Sequence, residues 1–209
     1  MATRESVPRS KRRATSPKAQ GRRSELLAIA AELFATKGYT QTTVRDIGDA
    51  AGILSGSLYH HFDSKEAMLD EILRDFMGSL HAAFAEIVAG GESPRQVLEG
   101  LVRCSFGTIH ERPHAVALYQ NESALLAHLP DFTFVARTSQ DITGLWLGVL
   151  AAGQESGDFR ADLEPGVVYR FIRDSVWGAV GWYKPDGKLA HSTLADQYLT
   201  MLYGGLLRA

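Results

Sequence analysis

After residue 21, apolar side chains return every three to four positions along nearly the whole chain, which predicts helices throughout. Leu27, Ala30, Ala31 and Phe34 form the first stripe, and "KGY" ends it with Gly38 suited to a left-handed C′ position. Thr43 can cap a second helix, with Val44, Ile47 and Ala51 facing inward, Asp46 in a capping-box position and Gly52 as terminator. "ILSGSLYHHF" predicts a short third helix, with Ser55 as N-cap and Leu58 and Phe62 toward the core. From Ser64 a long amphipathic helix carries Leu69, Ile72, Leu73, Phe76, Leu80, Phe84 and Ile87 on one face. Ser93 and Pro94 open another, which runs to Arg112–Pro113. Further helices are expected over about 114–128, about 130–156, from Val167 to "KPDG", and over about 193–207 with Ser192 as cap. Strand-like alternation is absent over any useful length, so the expected fold class is all-α.

The third helix is too polar for a core and too uncharged for a solvated face. Joined to the second by a glycine-containing turn, it makes a helix-turn-helix unit. Such a helix would expose Ser55, Gly56, Ser57, Tyr59 and His60 on the side away from Leu58 and Phe62. Small residues allow close approach to a DNA groove. Ser57 and His60 could reach base edges, Tyr59 and Lys65 backbone oxygens, and Thr43 and Arg45 the neighbouring phosphates. His61 reads better as a packed, hydrogen-bonded side chain. Charge supports the division: residues 1–62 hold ten basic and five acidic side chains, the remainder twelve and nineteen. A basic front on an acidic body suggests that only the front meets a polyanion. The tail before residue 22, with Arg4, Arg9, Lys11, Arg12, Arg13 and Lys18, is expected to be disordered, either reaching DNA or serving as a solubilising arm.

The run "LAIAAELFATKGYTQTTVRDIGDAAGILSGSLYHHFDSKEAML" resembles the N-terminal domain of the TetR family of transcriptional regulators, through the order of Phe34, Gly38, Thr43, Asp46, Ala51, Gly52, Tyr59, Phe62 and Lys65. That resemblance implies a homodimer on a pseudo-palindromic operator, and repression relieved by a small molecule in a variable all-α domain. The implied organisation is a basic tail over residues 1–21, a three-helix DNA-binding domain over 22–63, and an antiparallel helical effector-binding and dimerisation domain over 64–209. Gly48 stands where the family usually has alanine, at a helix-propensity cost of roughly 1 kcal/mol.

"VVYRFIRDSVWGAVGWYKPDGKL" and "QYLTMLYGG" resemble the steroid-catabolism repressors of actinobacteria. This implies, as effector, a coenzyme A thioester of a steroid-ring fragment, and maps a coenzyme A contact onto Arg173 and Trp177. The residues add their own argument, since Arg170, Arg173, Asp174 and Trp177 share one helical face. Guanidinium groups chelate phosphates and an indole can stack on adenine. Phe106, Tyr119, Phe132, Phe134 and Trp146 could then surround the acyl part. Equally, Arg and Asp could pair with each other or across a subunit interface, with the tryptophans in the core. Leu194, Tyr198, Met201, Leu202 and Leu206 line one side of the last helix, which with the Arg173 helix could form a four-helix dimer interface, unless both stripes are spent within the subunit.

Other classes fit less well. No window is apolar enough to span a membrane, and the basic start lacks the apolar run of a secretory signal. Cys104, the lone cysteine, excludes an internal disulfide, suits a reducing cytoplasm and reads as a small buried hydrophobe. Nucleophile elbow, P-loop and dinucleotide fingerprint are missing, so an enzyme is not expected. Neither the adjacent His60 and His61 nor His110 and His114 make a credible metal site, and no cofactor is expected. A TetR-type regulator of an efflux or other catabolic operon, with a different effector, is the alternative.

Overall fold

The computed structural model describes residues 17–91, 93–126 and 129–206 of the chain, and all regular structure among them is helical. In order these are α1 (Pro17–Lys37), α2 (Val44–Ala50), α3 (Ser55–Leu58), α4 (Lys65–Gly90), α5 (Pro94–Glu111), α6 (Pro113–Leu126), α7 (Thr133–Ser156), α8 (Pro165–Gly178) and α9 (His191–Leu206). Short 3₁₀ turns precede α7 at Pro130–Phe132 and follow α8 at Ala179–Gly181. Helix α1 starts at Pro17, inside the stretch expected to be tail; residues 1–16 lie outside those described.

Hydroxyl caps start three of the helices. Thr43, Ser64 and Ser93 accept from the backbone N–H groups of Asp46, Ala67 and Gln96, and Thr43 and Asp46 form a full capping box. Gly38 and Gly157 take positive φ of 92° and 82° after α1 and α7, where an L side chain would be strained. Gly48 has a separate reason. A Cβ there would lie 3.0 Å from the Ile53 carbonyl oxygen and 3.3 Å from the Ser55 backbone, so glycine lets α2 close against the start of α3.

Two cores result. The first joins Leu26, Ala30, Phe34, Ile47, Leu58 and Phe62 of the helix-turn-helix unit to Met68–Leu73 of α4 and to Leu118, Leu126, Phe132 and Val135 beyond it. In the first helix Ala30, Ala31 and Phe34 are buried as expected, and Leu26 is fully buried ahead of them while Leu27 is only partly covered. The second core fills the space among α4, α5, α7, α8 and α9, around Phe84, Leu101, Phe106, Trp146, Phe159, Ile172 and Val176. Tyr119 of α6 packs against both. The helix-turn-helix unit and the sensor are therefore joined by continuous apolar packing.

Candidate DNA-reading surface and effector cavity

At the amino end, α1 supplies two arginines that position the shorter helices. Arg22 donates to the Ala51 carbonyl at 2.9 Å, fixing the end of α2. Arg23 bonds both carboxylate oxygens of Glu71 on α4, donates to the His61 carbonyl and lies over the Phe62 ring, 4.0 Å from its centroid. The segment after α3 is thereby clamped onto α4. Sequence reasoning assigned these arginines no role; a pair of bases at the head of an apolar stripe was the available signal.

The residues expected to read DNA differ in how open they are on the surface so presented. Gly56, Tyr59 and His60 are exposed, Ser55 and Ser57 half-buried, and Leu58 and Phe62 face inward. The N-cap of α3 is Leu54, without a side-chain hydrogen bond, in place of the expected Ser55, because the helix begins at Ser55 itself. Arg45 projects into solvent with only a long 3.7 Å contact to Asp49. Thr43 is exposed, but its hydroxyl is already engaged with Asp46 at 2.7 Å. Lys37 bonds the same carboxylate at 2.7 Å, and these contacts, Lys37's first, hold the Asp46 carboxyl well below the usual range.

Lys65 departs from expectation. Its ammonium donates to the Tyr39 and Thr42 carbonyls at 2.8 and 2.9 Å and sits 4.2 Å from the Tyr39 ring centroid. It therefore holds the turn between α1 and α2 rather than offering a free charge to phosphate. From the other side, Glu122 of α6 accepts the Tyr39 N–H at 2.8 Å. His61 is half-buried beside Phe62, as expected of a packed residue.

In the sensor, α4, α6, α7 and α8 enclose a cavity of about 280 Å³. Phe76, Met77 and Leu80 line one wall and Tyr119, Gln120 and Ser123 another; Arg173, Asp174 and Trp177 of α8 stand together on its border. Arg173 is held by its neighbour Asp174 at 2.8 Å, whose hydrogen bond pushes the guanidinium's already high pKa further up. Tyr169 also borders the space, and burial pushes its phenol up. Arg170 is exposed and does not line this cavity. Of the aromatics expected around an acyl group, only Tyr119 does. Phe106 packs on Tyr198, Trp146 on Phe84, and Phe132 and Phe134 belong to the first core. Periodicity marks an inward face but cannot separate cavity wall from filled core.

The expected interface residues divide similarly. Leu194 is spent in the subunit's own core, Tyr198 bonds Ser175 at 3.0 Å and packs on Phe106, and Leu202 is partly covered. Met201 is 73% exposed and Phe171 on α8 is 74% exposed, with Trp182 and Val167 also open. The side chain of Leu206 lies outside those described. His110 bonds the Tyr183 hydroxyl at 3.0 Å and stacks on His191; it does not pair with His114.

A helix-turn-helix unit carrying a polar reading surface, joined by continuous apolar packing to an all-helical second domain, defines a DNA-binding regulator. Residues 26–72 match the family model for bacterial regulatory proteins of the tetR family, and residues 91–206 match that for the tetracyclin repressor-like C-terminal domain. The chain belongs to the TetR family of transcriptional regulators and is a regulator rather than an enzyme. It is 51% identical to the HTH-type transcriptional repressor KstR2 of Rhodococcus jostii strain RHA1, over 89% of this chain and 91% of that protein. With KstR2 of Mycobacterium tuberculosis strain H37Rv the identity is 46%, over 90% and 94%. The solved structure of the ketosteroid transcriptional regulator KstR2 of M. tuberculosis superposes with a TM-score of 0.88, covering 90% of this chain and 96% of that one.

Proposed function

We propose that the protein is a cytoplasmic homodimeric repressor of steroid-catabolic genes, bound to a pseudo-palindromic operator and released by a coenzyme A thioester of a steroid-ring fragment. The similarity to KstR2 repressors, one of them titled a ketosteroid regulator, supports the steroid part. The observation that carries the effector is the cavity with Arg173 and Trp177 together on its border. A guanidinium and an indole suit a phosphorylated adenine nucleotide, while the apolar side chains of Phe76, Met77 and Leu80 suit a ring fragment. At about 280 Å³ the space falls below the roughly 300–1,000 Å³ of ordinary ligand sites. A thioester would therefore seat its acyl end inside, leave its nucleotide at the border, and widen the gap between α4 and α8.

Widening that gap bears on DNA because Tyr119 lines the cavity and touches both cores, and α6 also bonds the helix-turn-helix turn through Glu122. A tilt of α4 and α6 would move two recognition helices out of their spacing of about 34 Å, one turn of DNA. Moving the balance from 1:99 to 99:1 needs roughly 5.5 kcal/mol of differential ligand affinity. The exposed Phe171 of α8, Trp182 beyond its end and Met201 of α9 support the dimer, since exposed apolar side chains suit a second copy.

The test is calorimetric titration with the thioester, the free acid and coenzyme A. The thioester should bind tightest. Arg173→Ala should weaken it by about ten- to a hundred-fold, the value of a hydrogen bond to a charged group. Equal affinity of wild type and variant would remove the proposed site.

A further inference from the structure

Among the described residues Leu54 is the most exposed large apolar side chain, at 82%, and it belongs to neither core. Its position makes that exposure informative. It is the N-cap of α3, with extended backbone (φ −65°, ψ 139°) and no side-chain cap hydrogen bond. Where α2, α4 and α5 start, this chain uses Thr43, Ser64 and Ser93, whose hydroxyls close the first turn. At the recognition helix it forgoes a cap and presents an isobutyl group to solvent. Folding explains neither choice, because leucine is among the poorer N-caps and here covers nothing.

The surroundings identify the partner. Leu54 projects from the surface that also carries exposed Gly56, Tyr59 and His60 and half-buried Ser57. A Cβ at Gly56 would have nothing within 4 Å, so the backbone two residues on from the open Leu54 side chain is also uncovered. Membership of the TetR family makes this the DNA-facing surface. In the major groove the apolar group on offer is the C5-methyl of thymine; the other base edges present hydrogen-bond donors and acceptors.

We propose that Leu54 is a specificity-determining residue that packs against a thymine methyl in each operator half-site. The inference rests on the DNA-reading assignment of α3 and adds to it an apolar contact beside the hydrogen-bonding ones of Ser57 and His60.

The test uses the full-length protein and duplexes selected by it from a random-sequence library. In the tightest duplex each thymine is replaced in turn by deoxyuridine, which removes only the methyl. At one symmetry-related pair of positions wild type should lose about four-fold per methyl, close to fifteen-fold for the pair. The Leu54→Ser variant should bind the thymine duplex more weakly and make no distinction between thymine and uracil there. Its thermal unfolding midpoint should be unchanged or higher, since serine is the better cap, which separates lost reading from lost folding. If every uracil duplex affects wild type and Leu54→Ser alike, the inference is wrong while α3 remains the reading helix. If wild type enriches no sequence at all, both this inference and the assignment of α3 are overturned.

Discussion

Arg45 and Arg173 show how differently the two halves of the molecule hold charge. Arg45, on the DNA-reading side, has its side chain 85% exposed, with a loose contact to Asp49. Arg173, on the cavity border, sits 2.8 Å from the Asp174 carboxylate one residue on. On the proposed reading a DNA phosphate would meet a nearly free cation, whereas an effector phosphate would displace a neighbouring, solvent-exposed carboxylate. Exposed ion pairs are worth only about 0–1 kcal/mol, so that displacement is a modest toll. The lesson is one of readiness: on that reading the DNA-facing cation is presented ready-made, whereas the cation at the cavity border has a partner to give up.

The same contrast runs through the glycines and yields the largest expected effect on stability. In the sensor a Cβ on Gly153 would fall 2.0 Å from the Phe159 ring, at the turn where the Phe159 N–H donates to the Gly153 carbonyl at 2.8 Å. Gly153→Ala should overpack that core and destabilise the fold by about 1–3 kcal/mol in chemical denaturation. In the reading surface a Cβ on Gly56 meets nothing. Gly56→Ala should leave stability unchanged or slightly raised, as alanine favours helix, yet weaken operator binding by about ten-fold because the added methyl stands between backbone and groove. An unfolding midpoint that falls for Gly56→Ala, or one that holds for Gly153→Ala, would break the comparison.

A smaller effect is expected where the halves meet. Glu122→Gln keeps the shape of the side chain but removes its charge from the bond to the Tyr39 N–H. Charged hydrogen bonds exceed neutral ones by about 1 kcal/mol, so operator affinity without effector should fall by up to about five-fold. Effector binding to the free protein should change little, since Glu122 is not among the cavity-lining residues. Gel-shift titration and calorimetry would read the two quantities separately.

These differences also explain how far the sequence could be read. The helix-turn-helix unit is local: the stripe ending at Phe34, the Thr43–Asp46 capping box and the inward Leu58 and Phe62 lie within thirty residues of one another and carry their own punctuation. The cavity is built from α4, α6, α7 and α8, whose lining residues run from Phe76 to Trp177. Spacing placed Arg173, Asp174 and Trp177 on one face, and they do share a border, but it could not tell that Trp146 and Phe106 fill core while Tyr119 faces open space. Long-range contacts were likewise invisible. Lys65 closing on the Tyr39 and Thr42 carbonyls, and Glu122 bonding the Tyr39 N–H, span 26, 23 and 83 residues, beyond any periodicity. Gly48, legible only as a helix weakness, turned out to be the close contact between α2 and α3.

The most direct measurement is fluorescence anisotropy on the DNA upstream of the protein's own gene, at physiological salt. Wild type and Arg173→Ala would each be titrated with the coenzyme A thioester of a steroid-ring fragment, with free acid and with coenzyme A. The account predicts tight binding by both proteins, release of wild type by the thioester alone, and retention of Arg173→Ala on the DNA at the same thioester concentration. Wild type that stays bound, or an Arg173→Ala variant released as readily as wild type, would contradict the claim that this cavity controls the reading surface.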